Sequence, residues 1–289
     1  MSPLIDAHQH VWKTSERTYS WITPDVAQYF DHDFMQDQVS SEIEKLGITG
    51  TIYVQAADTY EDTFAMFASA ASHSIVKGIV AWVPFDRPEE AIAALNIMKK
   101  NPLLKGVRNL THDYSNQKYE SDDEWILRPK VLKTLRHVAD LDLSLDYVAI
   151  KPEHTLNVSE IAKQIPSLRI IIDHFAKPDV KAGQWSDWLA AMENAAQSEN
   201  VYTKFSGLNV LSDWQSWTID DWRPYLSAMM AAFGSHRIMT GGDWPFCTMA
   251  NDFGTVWSAQ LELLGELSSA EQENIRWKSA TKAYKVIAD

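Results

Sequence analysis

The strongest constraint on this chain is a rhythm of short β-branched runs. They occur at Leu4–Ala7, Gly50–Gln55, Ile75–Val83, Leu104–Leu110, Leu143–Val148, Leu168–Asp173, Val201–Phe205 and Arg237–Thr240. Successive runs begin 25 to 46 residues apart, which is room for a crossover helix and its loops. Helical spacing fills several of the intervals. Val39, Ile43 and Leu46 share a face, with Gly47 placed to end the helix; Val131, Leu135 and Val138 repeat the pattern, as do Phe253, Trp257, Leu261 and Leu264. Ser268 with Glu271 reads as a capping box opening a final helix. Apolar strands alternating with amphipathic helices imply a parallel sheet with its outer face covered. Eight such units in 289 residues predict an α/β fold, a closed (β/α)₈ barrel spanning 1–289 as a single domain, since barrels of this kind run to about 250 residues. The competitor is an open doubly wound sheet, but no glycine-rich phosphate turn follows the first strand.

Charge narrows the partners. The chain carries 26 Lys+Arg against 39 Asp+Glu, a net charge of −13, with no basic cluster. Nucleic acid and anionic membrane surfaces both call for clustered cations, so neither is an expected partner. The longest apolar stretches, such as 75–85, fall short of the roughly 20 residues a bilayer span needs. Residues 1–6 (MSPLID) have neither the basic region nor the apolar block of a signal peptide. The one cysteine, Cys247, rules out an internal disulfide and agrees with a reducing compartment. The expectation is a cytoplasmic protein, with a homo-oligomer compatible with these features.

In a barrel, reactive groups belong at the C-terminal ends of the strands, where the βα loops form the mouth. The polar residues found there are His8 and His10, Gln55, Trp82, Arg108, Lys151 to His154, Asp173, His174 and Lys177, Lys204 and Ser206, and Asp243 with Trp244. His8 and His10 are two apart, so an extended backbone sends both imidazoles to one face. Such a pair either binds a divalent metal or donates hydrogen bonds to a substrate; the alternative is one histidine in the core and one on a loop. Asp243 follows Gly241 and Gly242, which let the backbone turn closely. Beside histidines its carboxylate suits a general base or a metal ligand; otherwise it is an N-cap. Asp173 is placed to orient His174, unless that histidine is simply bonded to backbone. Arg108 suits a carboxylate or carbonyl, with a surface ion pair as the bland reading. Gln55, Trp82 and Trp244 are expected to line a pocket for a hydroxylated ring, and Lys177 and Lys204 to contact substrate from the same rim. With 12 tryptophans in the chain, most are ordinary packing. Cys247 reads as a buried thiol. The acidic, aromatic segment 112–125 is long for a βα loop and reads as a specificity lid or as a solvated loop.

Taken together, IDAHQH at 5–10, VQAA at 54–57, KGVR at 105–108, KPEH at 151–154, IDHFAKP at 172–178, YTKFSGL at 202–208 and GGDWPFC at 241–247 resemble the amidohydrolase superfamily. Within it they resemble the amidohydrolase-2 type sugar-lactonase branch, which includes L-fuconolactonases and L-rhamnonolactonases. The resemblance covers nearly the whole chain. It implies a distorted (β/α)₈ barrel that hydrolyses a cyclic ester to a hydroxy acid. On these motifs Asp243 would activate water, His8, His10 and His174 would hold a metal or orient the substrate, and Arg108 would bind the lactone. Two-metal members place a bridging carboxylated lysine or acid on a middle strand. Arg108 stands on the fourth strand here, which argues against a binuclear centre. His8, His10, His174 and Asp243 form a set that zinc accepts, and the branch holds both zinc-binding and metal-free members. The expected activity is a lactonase acting on a deoxyhexonolactone such as L-fucono- or L-rhamnonolactone, with Asp243, His174 and Arg108 as its catalytic residues. No Gly-x-Ser-x-Gly elbow suggests a serine nucleophile. The alternatives are a metal-dependent decarboxylase of the same superfamily and a barrel that binds a sugar acid without turnover.

Overall fold

Each of the eight apolar runs coincides with a strand, the first strand running two residues past its run: β1 (Ile5–Gln9), β2 (Gly50–Val54), β3 (Val76–Ala81), β4 (Leu104–Val107), β5 (Ser144–Tyr147), β6 (Arg169–Ile172), β7 (Val201–Phe205) and β8 (Ile238–Thr240). The structure is a computed structural model and describes residues 2–111, 122–183 and 185–288. The strands lie side by side in chain order, each parallel to the next. An open sheet would leave β1 and β8 as free edges. Instead they meet: the Asp243 N–H donates to the His8 carbonyl and the His10 N–H to the Trp244 carbonyl, both at 2.8 Å. The ring therefore closes through the residues of its own mouth. This is the (β/α)₈ barrel that the rhythm predicts.

Helices fill the intervals. α1 (Pro24–Phe30) and α2 (Gln36–Leu46) follow β1, and α3 (Tyr60–Ala70), α4 (Pro88–Met98), α5 (Pro129–Asp140), α6 (Pro152–Gln164) and α7 (Ser186–Ala196) follow β2 to β6 in turn. After β7 come α8 (Leu208–Leu211) and α9 (Ile219–Phe233), and after β8 come α10 (Phe253–Gly265), α11 (Ser269–Glu273) and α12 (Ser279–Tyr284). Gly47 ends α2 at φ 68°, a left-handed cap that glycine adopts without a Cβ penalty. The Ser268–Glu271 box forms, but the helix it opens is interrupted by a π turn at Asn274–Lys278 before α12. No helix among the described residues is long and apolar enough to cross a membrane.

Two apolar layers result. One lies between the strands and the surrounding helices; the other fills the lower barrel interior with Ile5, Ala7, Ile52, Val54, Val80, Ile171, Tyr202 and Met239, against Ala280, Ala283 and Tyr284 of α12. Side chains two apart on a strand face the same way, so β7 climbs through the interior in layers. Tyr202 joins the apolar floor, Lys204 enters an ionic layer, and Ser206 bonds His174 at the mouth.

The loop between β2 and α3 is held by a buried acid. Asp62 accepts from the Ala56 and Ala57 N–H groups at 2.8 and 3.3 Å. Burial raises its carboxyl from 3.8 to about 6, against the lowering effect of those two hydrogen bonds. The folded state thus holds the proton more tightly than the unfolded chain. The associated stability is complete below pH 3.8 and is lost as pH rises through about 6. Asp62→Asn keeps an acceptor but does not titrate. Its stability relative to the natural chain should rise by about 2 kcal/mol between pH 4 and pH 7. Urea denaturation at both pH values checks this, and a pH-independent difference would refute it.

Candidate active site

The end of β1 carries the histidine pair. Gln9 turns outward to Gln36 at 2.7 Å and Thr51 at 2.8 Å, and its two neighbours point inward. The Nε2 atoms of His8 and His10 lie 3.1 Å apart. His10 Nδ1 donates to the Val54 carbonyl at 2.7 Å, which leaves its Nε2 with the lone pair in the neutral ring. His8 Nδ1 faces Lys204 Nζ at 2.9 Å and Asp173 Oδ1 at 3.3 Å. Burial lowers both imidazoles, that of His8 well below its ordinary value with the Lys204 charge as a further cause. Both rings are therefore neutral.

Asp243 meets them from the other side of the closure. It is not an N-cap: its backbone sits at φ 53° and aims the carboxylate at the histidines. Gly241 and Gly242 serve a different purpose from the expected turn, since neither has a positive φ. They permit close packing; a Cβ on Gly242 would lie 2.4 Å from the Phe253 ring and 2.8 Å from Asp6 Oδ2. Asp243 Oδ1 is 3.7 Å from His8 Nε2 and 3.6 Å from His10 Nε2, and this buried oxygen has no hydrogen-bond partner among the described residues. Burial pushes the Asp243 carboxyl up, but His174, His10 and Lys177 outweigh it and hold it below its usual value. An ionised oxygen facing two neutral imidazole nitrogens is a donor set for a divalent cation. The spacing agrees, because a point about 2 Å from all three atoms exists, and zinc bonds to nitrogen and oxygen are of that length. Asp243, His8 and His10 therefore fit a divalent metal.

His174 approaches from β6 on unusual backbone. His174, Phe175, Ala176 and Lys177 all have φ between 50° and 58°, a left-handed turn that costs roughly 1–2 kcal/mol per non-glycine residue. Packing holds the turn in place: the Phe175 ring stacks on Phe205 at 5.5 Å, and Trp188 Nε1 donates to the Phe175 carbonyl. The turn sets His174 Nδ1 2.8 Å from Ser206 Oγ and 3.9 Å from Asp243 Oδ2. Gly207 makes that approach possible, since a Cβ there would lie 2.9 Å from His174 Nδ1. Burial lowers His174 to about 4. The four expected ligands do not form one group. His8, His10 and Asp243 make one, and His8, Asp173 and His174 another, with His8 shared. Asp173, expected to orient His174, instead serves His8, Lys204 and Arg108.

Beneath the histidines lies a buried ionic layer. Lys204 Nζ contacts Asp146 Oδ2 at 2.5 Å and Asp173 Oδ1 at 2.9 Å, and Tyr284 donates to Asp146 at 2.6 Å. Arg108 donates to Asp173 Oδ2 at 2.9 Å and to the Gln55 carbonyl at 2.5 Å. Burial pushes Asp173 up, but Lys204, His8 and Arg108 outweigh it and hold its carboxyl well below the ordinary range. In Asp146 burial wins over Lys204, and the carboxyl is raised. Asp146 and Tyr284 were missed in the sequence; the available signal was a single charge inside the apolar run of β5.

A cavity of about 680 Å³ opens above this layer. His10, Arg108, His174, Lys177 and Asp243 line its polar side, with Trp21, Phe30, Trp214 and Phe246 among its apolar residues. His8 stands behind His10 and is fully buried. Four expected substrate contacts do not line it. Gln55 is buried and bonded to Asp58 and the Arg108 carbonyl; Lys204 is spent in the ionic layer; Trp82 packs edge-on to Tyr60; Trp244 packs against Phe34. Each sits at a strand end, but its neighbours claim the side chain. His154 turns to Asp123 at 3.5 Å, away from the cavity. Cys247 is buried, and burial raises its thiol well above the ordinary value. Of the expected specificity loop, 112–121 lies outside the described residues. The ionic layer is tested by Asp173→Asn, which leaves Lys204 and Arg108 short of a buried counter-charge. A loss of roughly 3 kcal/mol or more is expected, measured as a drop in denaturation midpoint; an unchanged midpoint would refute the coupling.

Comparison with known proteins places this geometry. An L-fucono-1,5-lactonase from Burkholderia ambifaria is 31% identical over 267 residues, covering 89% of this chain and 86% of that protein. A crystal structure of an amidohydrolase from Burkholderia multivorans with bound zinc superposes with a TM-score of 0.88 at 22% identity, covering 99% and 100% of the two chains. A 2,6-dihydroxybenzoate decarboxylase from Rhizobium shares the fold at a TM-score of 0.68 and 13% identity, covering 99% of each chain. The amidohydrolase family model matches residues 5–286, from the first strand of the barrel to the end of the helices that plug it, and the chain belongs to that family.

Proposed function

We propose that this protein is a lactonase that opens a sugar-acid lactone, with Asp243 as the base that activates water. The observation that carries the reading is Asp243 itself, an ionised carboxylate on the wall of a substrate-sized cavity with one oxygen unpartnered beside two neutral imidazoles. A water held against Asp243 Oδ2 would give up its proton as it attacks the ester carbonyl. Arg108 and Lys177 stand on the same wall and would stabilise the oxyanion, the largest contribution in most acyl transfers. Asp243 would then return the proton to the departing ring oxygen. Trp21, Phe30 and Phe246 would keep bulk water from the reacting face. The substrate we favour is a deoxyhexonolactone, in keeping with the 31% identical L-fucono-1,5-lactonase.

Zinc is the metal we propose for His8, His10 and Asp243, because imidazole nitrogen and carboxylate oxygen are ligands it accepts. Such an ion supplies Lewis acidity to a carbonyl and lowers the pKa of water beside it. The barrel alone does not choose between hydrolysis and decarboxylation, since a decarboxylase shares it. A relative 31% identical over 89% of this chain is a lactonase, whereas the decarboxylase is only 13% identical, which favours hydrolysis over both decarboxylation and binding without turnover.

A pH-indicator assay over a panel of deoxyhexonolactones, corrected for spontaneous opening, tests the activity, with CO₂ release from hydroxybenzoates as the competing outcome. Asp243→Asn should fold normally and lose about 10²- to 10⁴-fold in kcat; near-normal turnover would remove Asp243 from the mechanism. His10→Ala should retain no zinc after dialysis under conditions in which the natural chain does, as measured by elemental analysis. Equal zinc content in the two would overturn the ligand assignment.

A further inference from the structure

The aromatic side of the cavity is not built to read hydroxyl groups. Trp21 and Trp214 both line it, and each indole N–H is already bonded to a backbone carbonyl. Trp21 Nε1 donates to Ala56 at 2.6 Å and Trp214 Nε1 to Val210 at 2.9 Å. Their carbon surfaces are what remains to meet a ligand, and Phe30 and Phe246 add rings with no polar atom. These rings continue directly from the reacting wall. Phe246 meets the His10 ring edge-on at 5.4 Å, and touches Phe30 at 4.8 Å and Trp21 at 5.0 Å. Phe30 connects through Tyr29 to Trp214, which is 42% exposed, so the run ends at the surface. Thr23 and Asp25, at the head of α1, are the polar lining residues that accompany these rings. Asp25 is exposed, so water serves it without a ligand.

A hydroxyl pressed against such a surface loses its water and finds no partner, which lowers affinity by roughly 10- to 100-fold per group. A CH₂ group in the same place raises it roughly 2- to 4-fold. Size points the same way. A cavity of about 680 Å³ is in the range that encloses a drug-sized molecule, and a single lactone ring with small substituents is smaller than that. We propose that the aromatic run is a second subsite, for an alkyl substituent on the carbon that bears the ring oxygen, and that the protein also opens alkyl-substituted δ-lactones. This activity goes beyond the sugar-acid substrate of the proposed function and rests on the lactonase reading for its chemistry. Water adds to the carbonyl carbon, the bond from that carbon to the ring oxygen breaks, and the proton that Asp243 takes from water passes to the departing oxygen. The product is a hydroxy acid that carries the alkyl group on its alcohol carbon. With the ester carbonyl at Arg108 and Asp243, the chain extends past His10 along Phe246, Phe30 and Trp21 toward Trp214.

The test uses the full chain in a pH-indicator assay on δ-lactones that carry a methyl, propyl, pentyl or heptyl group at that carbon. A deoxyhexonolactone is run beside them, and every rate is corrected for spontaneous opening. The expected result is a kcat/KM that rises roughly 2- to 4-fold for each added CH₂ until the run is filled. Trp214→Ala, at the exposed end of the run, should end the rise earlier, so that the heptyl lactone is opened no faster than the pentyl one. Opening of the deoxyhexonolactone with no opening of the alkyl series, or with a kcat/KM independent of chain length, overturns the inference and leaves the proposed function standing. Opening of the alkyl series alone supports the inference and overturns the deoxyhexonolactone as substrate. Opening of neither overturns the lactonase reading and the inference with it. A Trp214→Ala series identical to that of the natural chain overturns the placement of the alkyl group along the aromatic run, and the natural chain's own series decides the activity whether or not that variant folds.

Discussion

The arrangement of this site depends on a cluster of charges sealed inside the barrel. Lys204, Asp146, Asp173 and Arg108 are all buried and paired with one another at 2.5 to 2.9 Å. Ion pairs in such a place contribute little net stability, because desolvation consumes most of the Coulombic gain. What they contribute is position. Asp173 holds Arg108 from one oxygen and Lys204 from the other, and Lys204 in turn meets His8. Once the apolar floor and α12 exclude water from below, each of these charges has few places to go, and the histidines above inherit that rigidity.

The second constraint is the closure of the ring. β1 and β8 are joined at the mouth by backbone bonds from Asp243 and His10, so the residues that form the site also close the barrel. Asp6 reinforces the seam, accepting from the His8 and Gly242 N–H groups at 3.0 and 2.8 Å. Geometry and chemistry are thus coupled. The spacing of Asp243 from the two histidines is fixed by the same contacts that make eight strands into a ring, and the left-handed turn after β6 brings His174 and Lys177 to the same opening at the cost of backbone strain. Strained residues of this kind collect at functional sites because surrounding packing over-determines them.

Much of the site was legible in the sequence. Apolar runs give strands because a barrel strand is covered on both sides, and strand ends in a barrel face one rim, so His8, His10, Arg108, His174, Lys177 and Asp243 could be assigned to a common mouth by position alone. The same rule misplaced Gln55, Trp82, Lys204 and Trp244, which also stand at or beside strand ends. Whether such a residue reaches the cavity depends on its height along the strand and on which neighbours claim its side chain. Lys204 is one pleat below Ser206, and that single step puts it in the ionic layer.

By itself the sequence determined the element order, the barrel and the chemical types gathered at its rim, because hydrophobic periodicity and turn chemistry are local properties of the chain. Only the tertiary structure decided that Asp243 lies across the seam from the histidines with one oxygen unpartnered, that Asp173 serves His8 and not His174, and that Asp146 and Tyr284 complete the layer below. Those choices depend on register between strands, on positive φ at non-glycine residues and on contacts between positions more than a hundred residues apart, such as Tyr284 and Asp146. No local pattern encodes them.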